Sequence, residues 1–404
     1  MPCVAPCPTP TYCVTPPRVT PESSLHHLRH PRSATPKART PTGFDADADT
    51  PSTPEAPYLK VDDESGDDSG SKDEETNDDG DDSSALDSGD AALLGPDMGR
   101  ENLDAEQRAQ SDKAKDCDII FASFFATKPV GFNRKKGERC NGCHEAPMFI
   151  TFDSARLSNP GACTAVITDT DTEVDTSKPG MDKVMIHRFK GLDRTKIGTG
   201  GLMVERMKIY NAFIKRARDQ GWRANLIMVD TDIVILGKVE ELFDQVPDFD
   251  YGLSVRASAP YPVQGGVQYV RAGKYEGAAK FSDYVLRKWL ETLDGKEGGF
   301  TGDQRAYQEA VASINAIVSV AKKGKTHVMK VTPPGDDSTG VELKVKLVPG
   351  DRFNFVPSGT GAGLKKADIR ILHYKGGRKE GMFVPYNAMK KGGIKAVHSL
   401  KKLT

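Results

Sequence analysis

The stretch that decides the fold is NLIMVDTDIVILG (residues 225–237), in which two acidic residues interrupt an apolar run. Apolar residues precede Asp230 and resume directly after Asp232, so the segment predicts a buried strand that pauses and then re-enters the core. Carboxylates are costly to bury without partners. Side chains at i and i+2 of an extended chain point the same way, so the two acids are expected to converge. Converging carboxylates repel unless a proton or a cation lies between them, and a divalent cation with oxygen ligands suits the pair.

The tripeptide Asp-Thr-Asp also occurs earlier, in AVITDTDTEVDT (residues 165–176). There the following residues are polar, and the motif is expected to end a strand at the surface. An acid at a strand end needs no functional interpretation, so the second copy is the predicted metal site. The alternative for the second copy is a pair of surface acids on an edge strand.

Charge is strongly segregated along the 404 residues, although the formal net charge is only −1. Residues 45–106 contain 22 acidic and 3 basic residues, whereas residues 107–404 have a net charge of +14. Segments that are rich in proline, threonine and acid cannot bury enough apolar surface to fold. We therefore predict a disordered region over 1–112 and one folded domain over 113–404, with a basic segment at 365–404. The acidic part is interpreted as a solvated tail, or alternatively as a screen for the basic domain.

No segment approaches the roughly 18–20 apolar residues of a membrane helix, and prolines break the N-terminal segment where a signal peptide would be apolar. A cytoplasmic location is the expectation, and the Golgi is the alternative if the N-terminus is misassigned. Cys140, Cys143, His144 and Cys163 could hold a metal, but one isolated CxxC is a weak signal, and a disulfide or free thiols are the alternatives.

Candidate strands alternate with candidate helices from residue 116 onward. This alternation predicts an α/β fold with a mainly parallel sheet and helices on both faces. Ligands in such sheets bind beyond the carboxyl ends of the strands, which is where Asp230 and Asp232 are expected.

Four motifs occur in an order that resembles GT-A glycosyltransferases, and in particular the glycogenin and galactinol-synthase type. They are the Asp-Thr-Asp stretch, a Gly-rich segment in YPVQGGVQYV, a GDQ in FTGDQRAY, and HYKGGRK (residues 373–379), which matches HxxGxxK. The segment VKLVPGDRFNF also resembles a segment of that family. The resemblance implies a Rossmann-like GT-A fold, a nucleotide-sugar donor (a UDP-sugar being expected), Mn²⁺ or Mg²⁺, and transfer that retains the anomeric configuration.

The resemblance also implies a role for each matching residue. Asp230, Asp232 and His373 would bind the metal, and Asp303 and Gln304 would be catalytic. The residues expected to bind the nucleotide-sugar are Ser123, Phe124, Arg206, Asp230, Gln264, Gly265, Gly266 and Lys379. Two segments depart from the family pattern: Glu380-Gly381 stands where Pro-Trp is usual, and Gln264-Gly265-Gly266 replaces a usual Asn-x-Gly.

The function expected is therefore metal-dependent transfer of a sugar to an acceptor, which could be a glycan, a protein or a small molecule. No nucleic acid partner is expected. One alternative is a non-catalytic nucleotide-sugar-binding protein with a degenerate transferase fold. A weaker alternative is a phosphatase of the haloacid-dehalogenase type, where an Asp pair opens the domain and Gly-Thr follows it; here Ile233 follows.

Overall fold

The computed structural model describes residues 103–127, 145–194, 201–244, 248–256, 262–293, 302–311, 326–331, 341–357 and 368–400. Most of the predicted disordered region, together with Cys140, Cys143 and His144, lies outside these ranges. The helices are α1 Ala105–Lys115, α2 Glu145–Ser158, α3 Gly201–Asp219, α4 Glu241–Asp244, α5 Tyr275–Leu293, α6 Gly302–Ala310, α7 Gly350–Phe353 and α8 Phe383–His398, with a 3₁₀ helix at Gly376–Met382. The strands are β1 Ile119–Phe124, β2 Cys163–Asp169, β3 Met185–Phe189, β4 Asn225–Val229, β5 Ile233–Ile235, β6 Tyr251–Val255, β7 Val263–Val270, β8 Thr326–Val331, β9 Val341–Pro349 and β10 Ile371–His373.

Eight strands form one mixed sheet in the order β3-β2-β1-β4-β7-β6-β9-β8. The pairs from β3 to β4 are all parallel, as is the pair β6–β9, while β7 runs antiparallel to both of its neighbours. The antiparallel pair β8–β9 confirms a hairpin expected from the alternating sequences HVMKVTP and VELKVKLVP. The predicted α/β fold class is confirmed.

Strand β1 shows why helices cover both faces of the sheet. Its side chains alternate between two apolar clusters: Ile120 and Ala122 pack with residues of α3 and α5, whereas Ile119 and Phe121 pack on the opposite side. Five of its six residues are buried. A strand that is apolar at every position except Ser123, as β1 is, suits a sheet buried on both faces.

The acidic stretch NLIMVDTDIVILG forms two strands in two different sheets. Strand β4 ends at Val229, Thr231 and Asp232 form a turn, and β5 pairs antiparallel with β10 in a separate two-stranded sheet. The expectation of a pause followed by a return to the core is confirmed. The expectation of an extended Asp-Thr-Asp is wrong, because the chain turns there to change sheets.

Helix α1 begins at Ala105, before the domain boundary predicted at residue 113. Gln107 of this helix accepts from the backbone N–H of Arg188 at 2.9 Å and from Arg216 Nη1 at 3.1 Å. The indole of Trp222 donates to Ser111 Oγ at 2.9 Å. The helix carries little apolar surface, and polar contacts between residues far apart in the chain leave no periodic pattern in the sequence. The predicted boundary at residue 113 therefore left most of this helix outside the domain.

Cys163 forms a disulfide with Cys117, which joins the starts of β1 and β2. This bond overturns the idea that Cys163 could be the fourth ligand of a metal site with the CxxC pair. Disulfides persist mainly in oxidising compartments. The cytoplasmic location expected from the sequence stays a prediction. Within the described residues, no helix is long and apolar enough to cross a membrane.

His187 is fully buried on β3, where its ring packs against Phe213 and Trp222 at centroid distances of 5.3 and 5.1 Å. Neither ring nitrogen has a hydrogen-bond partner in the described part of the chain. Burial, with a smaller contribution from the charge of Arg216, lowers the pKa of His187 to about 3. The imidazole is therefore neutral in the folded protein at neutral pH.

This depressed pKa predicts a pH-dependent loss of stability. Below an unfolded pKa of about 6.5, the unfolded chain takes up a proton that the folded chain excludes until about pH 3, so stability falls as the pH falls through this window. We expect the variant His187→Phe to reduce the slope of unfolding free energy against pH by about 1.4 kcal/mol per pH unit between pH 5.5 and 4. Urea denaturation at several pH values measures the slope, and an unchanged slope in the variant would contradict the buried neutral imidazole.

Candidate metal and substrate site

The site is built where β4 and β10 end. The antiparallel pairing of β10 with β5 places His373 opposite Ile233, the residue that follows Asp232. The backbone N–H of Tyr374 donates to the carbonyl oxygen of Asp232 at 2.8 Å, which holds the two chain segments together. A histidine 141 residues further along the chain is thereby fixed beside the acidic turn.

Asp230, Asp232 and His373 present one ligand atom each, and these atoms all lie within 4.8 Å of one another. His373 Nε2 is 3.4 Å from Asp230 Oδ2 and 3.2 Å from Asp232 Oδ1. His373 and Asp232 are buried. Two carboxylates and an imidazole nitrogen at these distances need a proton or a cation between them.

The donor set fits a divalent cation of the Mn²⁺ or Mg²⁺ type. Asp232 Oδ1 is buried and makes no hydrogen bond with the described residues, so it remains available as a ligand. Two carboxylates with one imidazole are suitable ligands for such an ion. Gly266 keeps the space open, because a Cβ at this position would run into the His373 ring and would lie 2.8 Å from Asp230 Oδ2.

Asn354 orients the histidine and was missed by the sequence reasoning. His373 Nδ1 lies 2.8 Å from Asn354 Oδ1, and the amide nitrogen of Asn354 donates to Ser254 Oγ at 2.8 Å. Because the Asn354 oxygen can only accept, Nδ1 of a neutral imidazole carries the proton and the Nε2 lone pair faces the two acids. The fixed tautomer is the one that can bind a metal through Nε2.

We expect Asn354→Leu, which keeps the side-chain volume and removes the acceptor, to weaken Mn²⁺ binding by roughly 10–100-fold. The physical reason is that neither the tautomer nor the ring orientation of His373 remains fixed. Calorimetric titration of Mn²⁺ in the presence of UDP measures the change. Ser254→Ala is the matched control, because it removes contacts to the Asn354 amide nitrogen and to the carbonyl oxygen of Gln264 but leaves the Asn354–His373 contact in place. Equal losses in both variants would contradict a specific role for the Asn354–His373 contact.

Arg206 on α3 joins Asp230 of the acidic turn to the second half of the site. Its guanidinium forms ion pairs with both Asp230 and Asp303, and only 8% of its side chain is exposed. Burial would lower the pKa of Arg206, but the two carboxylates outweigh it and raise the pKa. Arg206 therefore orients Asp230 and holds α6, which carries Asp303, against the acidic turn.

Asp303 and Gln304 lie in the first turn of α6, next to the Gly-rich strand β7. Burial raises the pKa of Asp303, although the charge of Arg206 opposes the shift. Asp303 Oδ1 has no hydrogen-bond partner among the described residues. Gln264 Nε2 donates to Gln304 Oε1 at 3.2 Å, and a Cβ on Gly265 would run into Asp303 Oδ2. The Gly-rich segment and the GDQ segment therefore form one surface.

Lys379 is held next to the acidic turn by the 3₁₀ helix, with Nζ 3.4 Å from Asp232 Oδ2. Burial would raise the pKa of Asp232, but the charges that face it, the Lys379 ammonium among them, outweigh burial and lower the pKa. A point positive charge in this position is suited to a bound phosphate.

Ser123 and Phe124 occupy the end of β1, where a base-binding role was expected. Ser123 is fully buried and its hydroxyl donates to the carbonyl oxygen of Val229 at 2.8 Å. Its side chain therefore braces the strand that leads to the acidic turn. Phe124 is half-buried and packs against the core of the sheet.

The first Asp-Thr-Asp lies at the end of β2, as predicted. Asp169 Oδ1 accepts from the backbone N–H groups of Asp171 and Thr172 at 2.7 and 2.8 Å. Asp171 is exposed and lies 3.4 Å from Arg194. The carboxylate of Asp169 thus closes a local turn, and no histidine joins it in the described part of the chain.

The residues that sequence reasoning missed are Asn354 and Lys375. Asn354 lies in the segment VKLVPGDRFNF, which was noted for its family likeness, but without an assigned role. Lys375 lies inside HYKGGRK, and its Nζ donates to Gln264 Oε1 at 2.8 Å. No spacing rule connects either residue to the site, because their partners are 19 and 111 residues away along the chain.

Solved structures that resemble this chain are glycosyltransferases. One is involved in glycosylation of the major capsid of PBCV-1 (12% identity, TM-score 0.34, 66% of this chain and 98% of that chain). Another is mouse xyloside xylosyltransferase 1 (11% identity, TM-score 0.35, 65% and 99%). A third is the galactosyltransferase LgtC, solved with donor and acceptor sugar analogs (12% identity, TM-score 0.35, 70% and 96%). No protein-family model and no curated protein sequence matches the chain. Likeness at this level establishes no function, which must be inferred from the residues of the site.

Proposed function

We propose that the protein is a metal-dependent glycosyltransferase that moves a sugar from a nucleotide-diphosphate sugar, a UDP-sugar being the expected donor, to an acceptor. The observation that carries this proposal is the convergence of Asp230, Asp232 and His373 within 4.8 Å, with Lys379 beside Asp232. Two acids, an imidazole and an adjacent ammonium are the groups needed to hold a cation and a diphosphate together.

Asp230, Asp232 and His373 would hold Mn²⁺ or Mg²⁺. When bound, the cation supplies Lewis-acid stabilisation of the charge on the leaving nucleoside diphosphate. Lys379 adds a fixed positive charge on the same side of the site, where that charge develops. Gly265 and Gly266 let Asp303 and His373 pack directly against the backbone of β7, because neither glycine carries a side chain.

The remaining residues would position the sugar. Arg206 keeps Asp303 next to Asp230, so the Asp303 carboxylate would lie beside the proposed metal site. Asp303 has one carboxylate oxygen without a described partner, and this oxygen would accept from a sugar hydroxyl or steady a positively charged sugar carbon. Gln304, held by Gln264, would bind a second hydroxyl. Transfer with retention of configuration belongs to the same proposal.

Calorimetry with UDP, with and without Mn²⁺, tests the proposal, together with a donor-hydrolysis screen over several UDP-sugars. We expect tight UDP binding only when the metal is present, reversal by EDTA, and slow hydrolysis of one donor. UDP binding that is indifferent to metal would contradict the proposal. Metal-dependent binding without hydrolysis or transfer of any donor would favour a non-catalytic nucleotide-sugar-binding protein.

A further inference from the structure

Three cationic side chains lie beside the proposed donor site and are not used by the mechanism above. Lys375 follows β10, Arg378 belongs to the 3₁₀ helix, and Arg256 follows the last residue of β6. They come together because Lys375 donates to Gln264, which pairs across the sheet with Ser254, two residues before Arg256, while Arg378 Nε approaches the carbonyl oxygen of Lys375. Residues two apart along a strand, and residues opposite each other in a strand pair, present their side chains on the same face of the sheet. We use the term cationic cluster for Arg256, Lys375 and Arg378.

Protein contacts fix the positions of two members of the cationic cluster. Lys375 Nζ donates to Gln264 Oε1 at 2.8 Å, which places the ammonium against the Gly-rich strand. Arg378 Nη1 donates to the carbonyl oxygen of Pro357 at 2.7 Å, and Arg378 Nε approaches the carbonyl oxygen of Lys375 at 3.4 Å. These hydrogen-bond partners are neutral, and in the described part of the chain no carboxylate lies within ion-pair distance of Lys375 or Arg378.

Arg256 is half-buried, as is Lys375, whereas Arg378 is exposed. The backbone N–H of Arg256 donates to the carbonyl oxygen of Pro262 at 2.8 Å. The aliphatic part of its side chain packs on Gly350, where a Cβ would lie 2.5 Å from Arg256 Cγ. No carboxylate pairs with its guanidinium in the described part of the chain. Burial lowers the pKa of Arg256, and the nearby charge of Arg378 lowers it further. Cations that are brought together and partly withdrawn from water repel each other until an anion binds.

The cationic cluster differs in place from Lys379, the cation assigned to the donor diphosphate. Lys379 contacts Asp232 at the metal-binding turn. Lys375 instead contacts Gln264, whose amide group also reaches Gln304. The cluster therefore borders the part of the site where a sugar, rather than the diphosphate, is expected.

We propose that Arg256, Lys375 and Arg378 form a subsite for a carboxylate or phosphate group carried by the acceptor. This inference rests on the proposed glycosyltransferase function. Guanidinium groups bind carboxylate and phosphate oxygens with two parallel hydrogen bonds, and an ammonium adds a point charge. An acidic acceptor would supply the counter-charge that the described residues around Arg256 do not.

Binding of three small sugars to the full-length protein, saturated with UDP and Mn²⁺, tests the subsite. The probes are glucose 6-phosphate, glucuronate and glucose. We expect both acidic sugars to bind at least about tenfold more tightly than glucose, and Arg256→Gln to remove at least about tenfold of that preference, because a charge-assisted pair is lost. Arg223→Gln, an exposed arginine after α3, is the control and should leave the preference unchanged.

Equal binding of acidic and neutral sugars by the unaltered protein, including no binding of either, overturns the subsite. So does a preference that survives in Arg256→Gln. The acid could be carried by the donor or by the acceptor, and titration with UDP-glucuronate and UDP-glucose separates these two sources. If Arg256→Gln weakens the binding of UDP-glucuronate but not that of UDP-glucose, the acidic group belongs to the donor, and an acidic acceptor is refuted. The initial titration of UDP with Mn²⁺ does not depend on Arg256. Absence of metal-dependent UDP binding refutes the proposed function, whereas its presence means that the sugar titrations alone test the subsite.

Discussion

Asp232→Asn is expected to abolish metal-dependent UDP binding and to reduce donor hydrolysis by about 1000-fold, since a bound cation contributes several kcal/mol of charge stabilisation in reactions of this type. The change removes the negative charge of a buried carboxylate whose Oδ1 faces His373 at 3.2 Å. An amide oxygen keeps the shape of the side chain but is a much weaker ligand for a divalent ion. Calorimetry of UDP with Mn²⁺ and a hydrolysis assay measure the two effects.

The sequence provides a matched control in its first Asp-Thr-Asp. Asp171 is the second acid of that tripeptide, as Asp232 is of the other, but Asp171 is exposed and its partner is Arg194. Asp171→Asn should leave UDP binding and hydrolysis within about twofold of the unaltered protein, because an exposed ion pair contributes little. Full activity in Asp232→Asn, or equal losses in the two variants, would refute the proposed metal site.

Arg206→Met is expected to lower the free energy of unfolding by about 3–5 kcal/mol, because it leaves two carboxylates without their buried partner. Asp303 is 2% exposed and Asp230 is 24% exposed, so water cannot fully replace the guanidinium. Transfer activity should be lost as well, since Asp230 and Asp303 would no longer be held in one arrangement. Urea denaturation measures the stability change.

Two further variants test whether the loss of stability comes from the two ion pairs of Arg206 or from any change of an arginine on helix α3. Arg218→Met lies on the same helix, in a partly exposed pair with Asp219 and Glu276, and should cost less than about 1 kcal/mol. Adding Asp303→Asn to Arg206→Met should recover part of the stability, because the unpaired charge is removed, while activity should stay absent. A double variant that is no more stable than Arg206→Met would contradict the account of Asp303 as a buried charge.

The twelve predicted site residues were placed in different ways. Asp230, Asp232 and His373 converge, and Arg206, Asp303, Gln304, Gln264, Gly265, Gly266 and Lys379 lie around them. The motif types and their order were enough to nominate these residues. Their roles in binding and catalysis stay predictions that the variants above test.

Ser123 shows that residue type and position on a strand were not enough to predict a ligand-binding role. A serine at the end of a strand is compatible with ligand binding, but here its hydroxyl is consumed by the backbone of the neighbouring strand. Asn354 shows the converse, because an unremarkable asparagine becomes the partner of His373 only when α7 and β10 are folded together. Hydrogen bonds between residues far apart in the chain leave no periodic signal in the sequence.

The sequence by itself determined that an apolar strand is interrupted by two acids and then continues, and that alternating helices and strands surround it. Burial energetics make such an interruption costly, so the need for a cation could be inferred without coordinates. Only the tertiary structure decided that β5 leaves the main sheet to pair with β10, and that Arg206 holds two acids at once. Strand register decides the first arrangement, between segments more than a hundred residues apart. Side-chain packing decides the second, between Arg206 and acids that are 24 and 97 residues away.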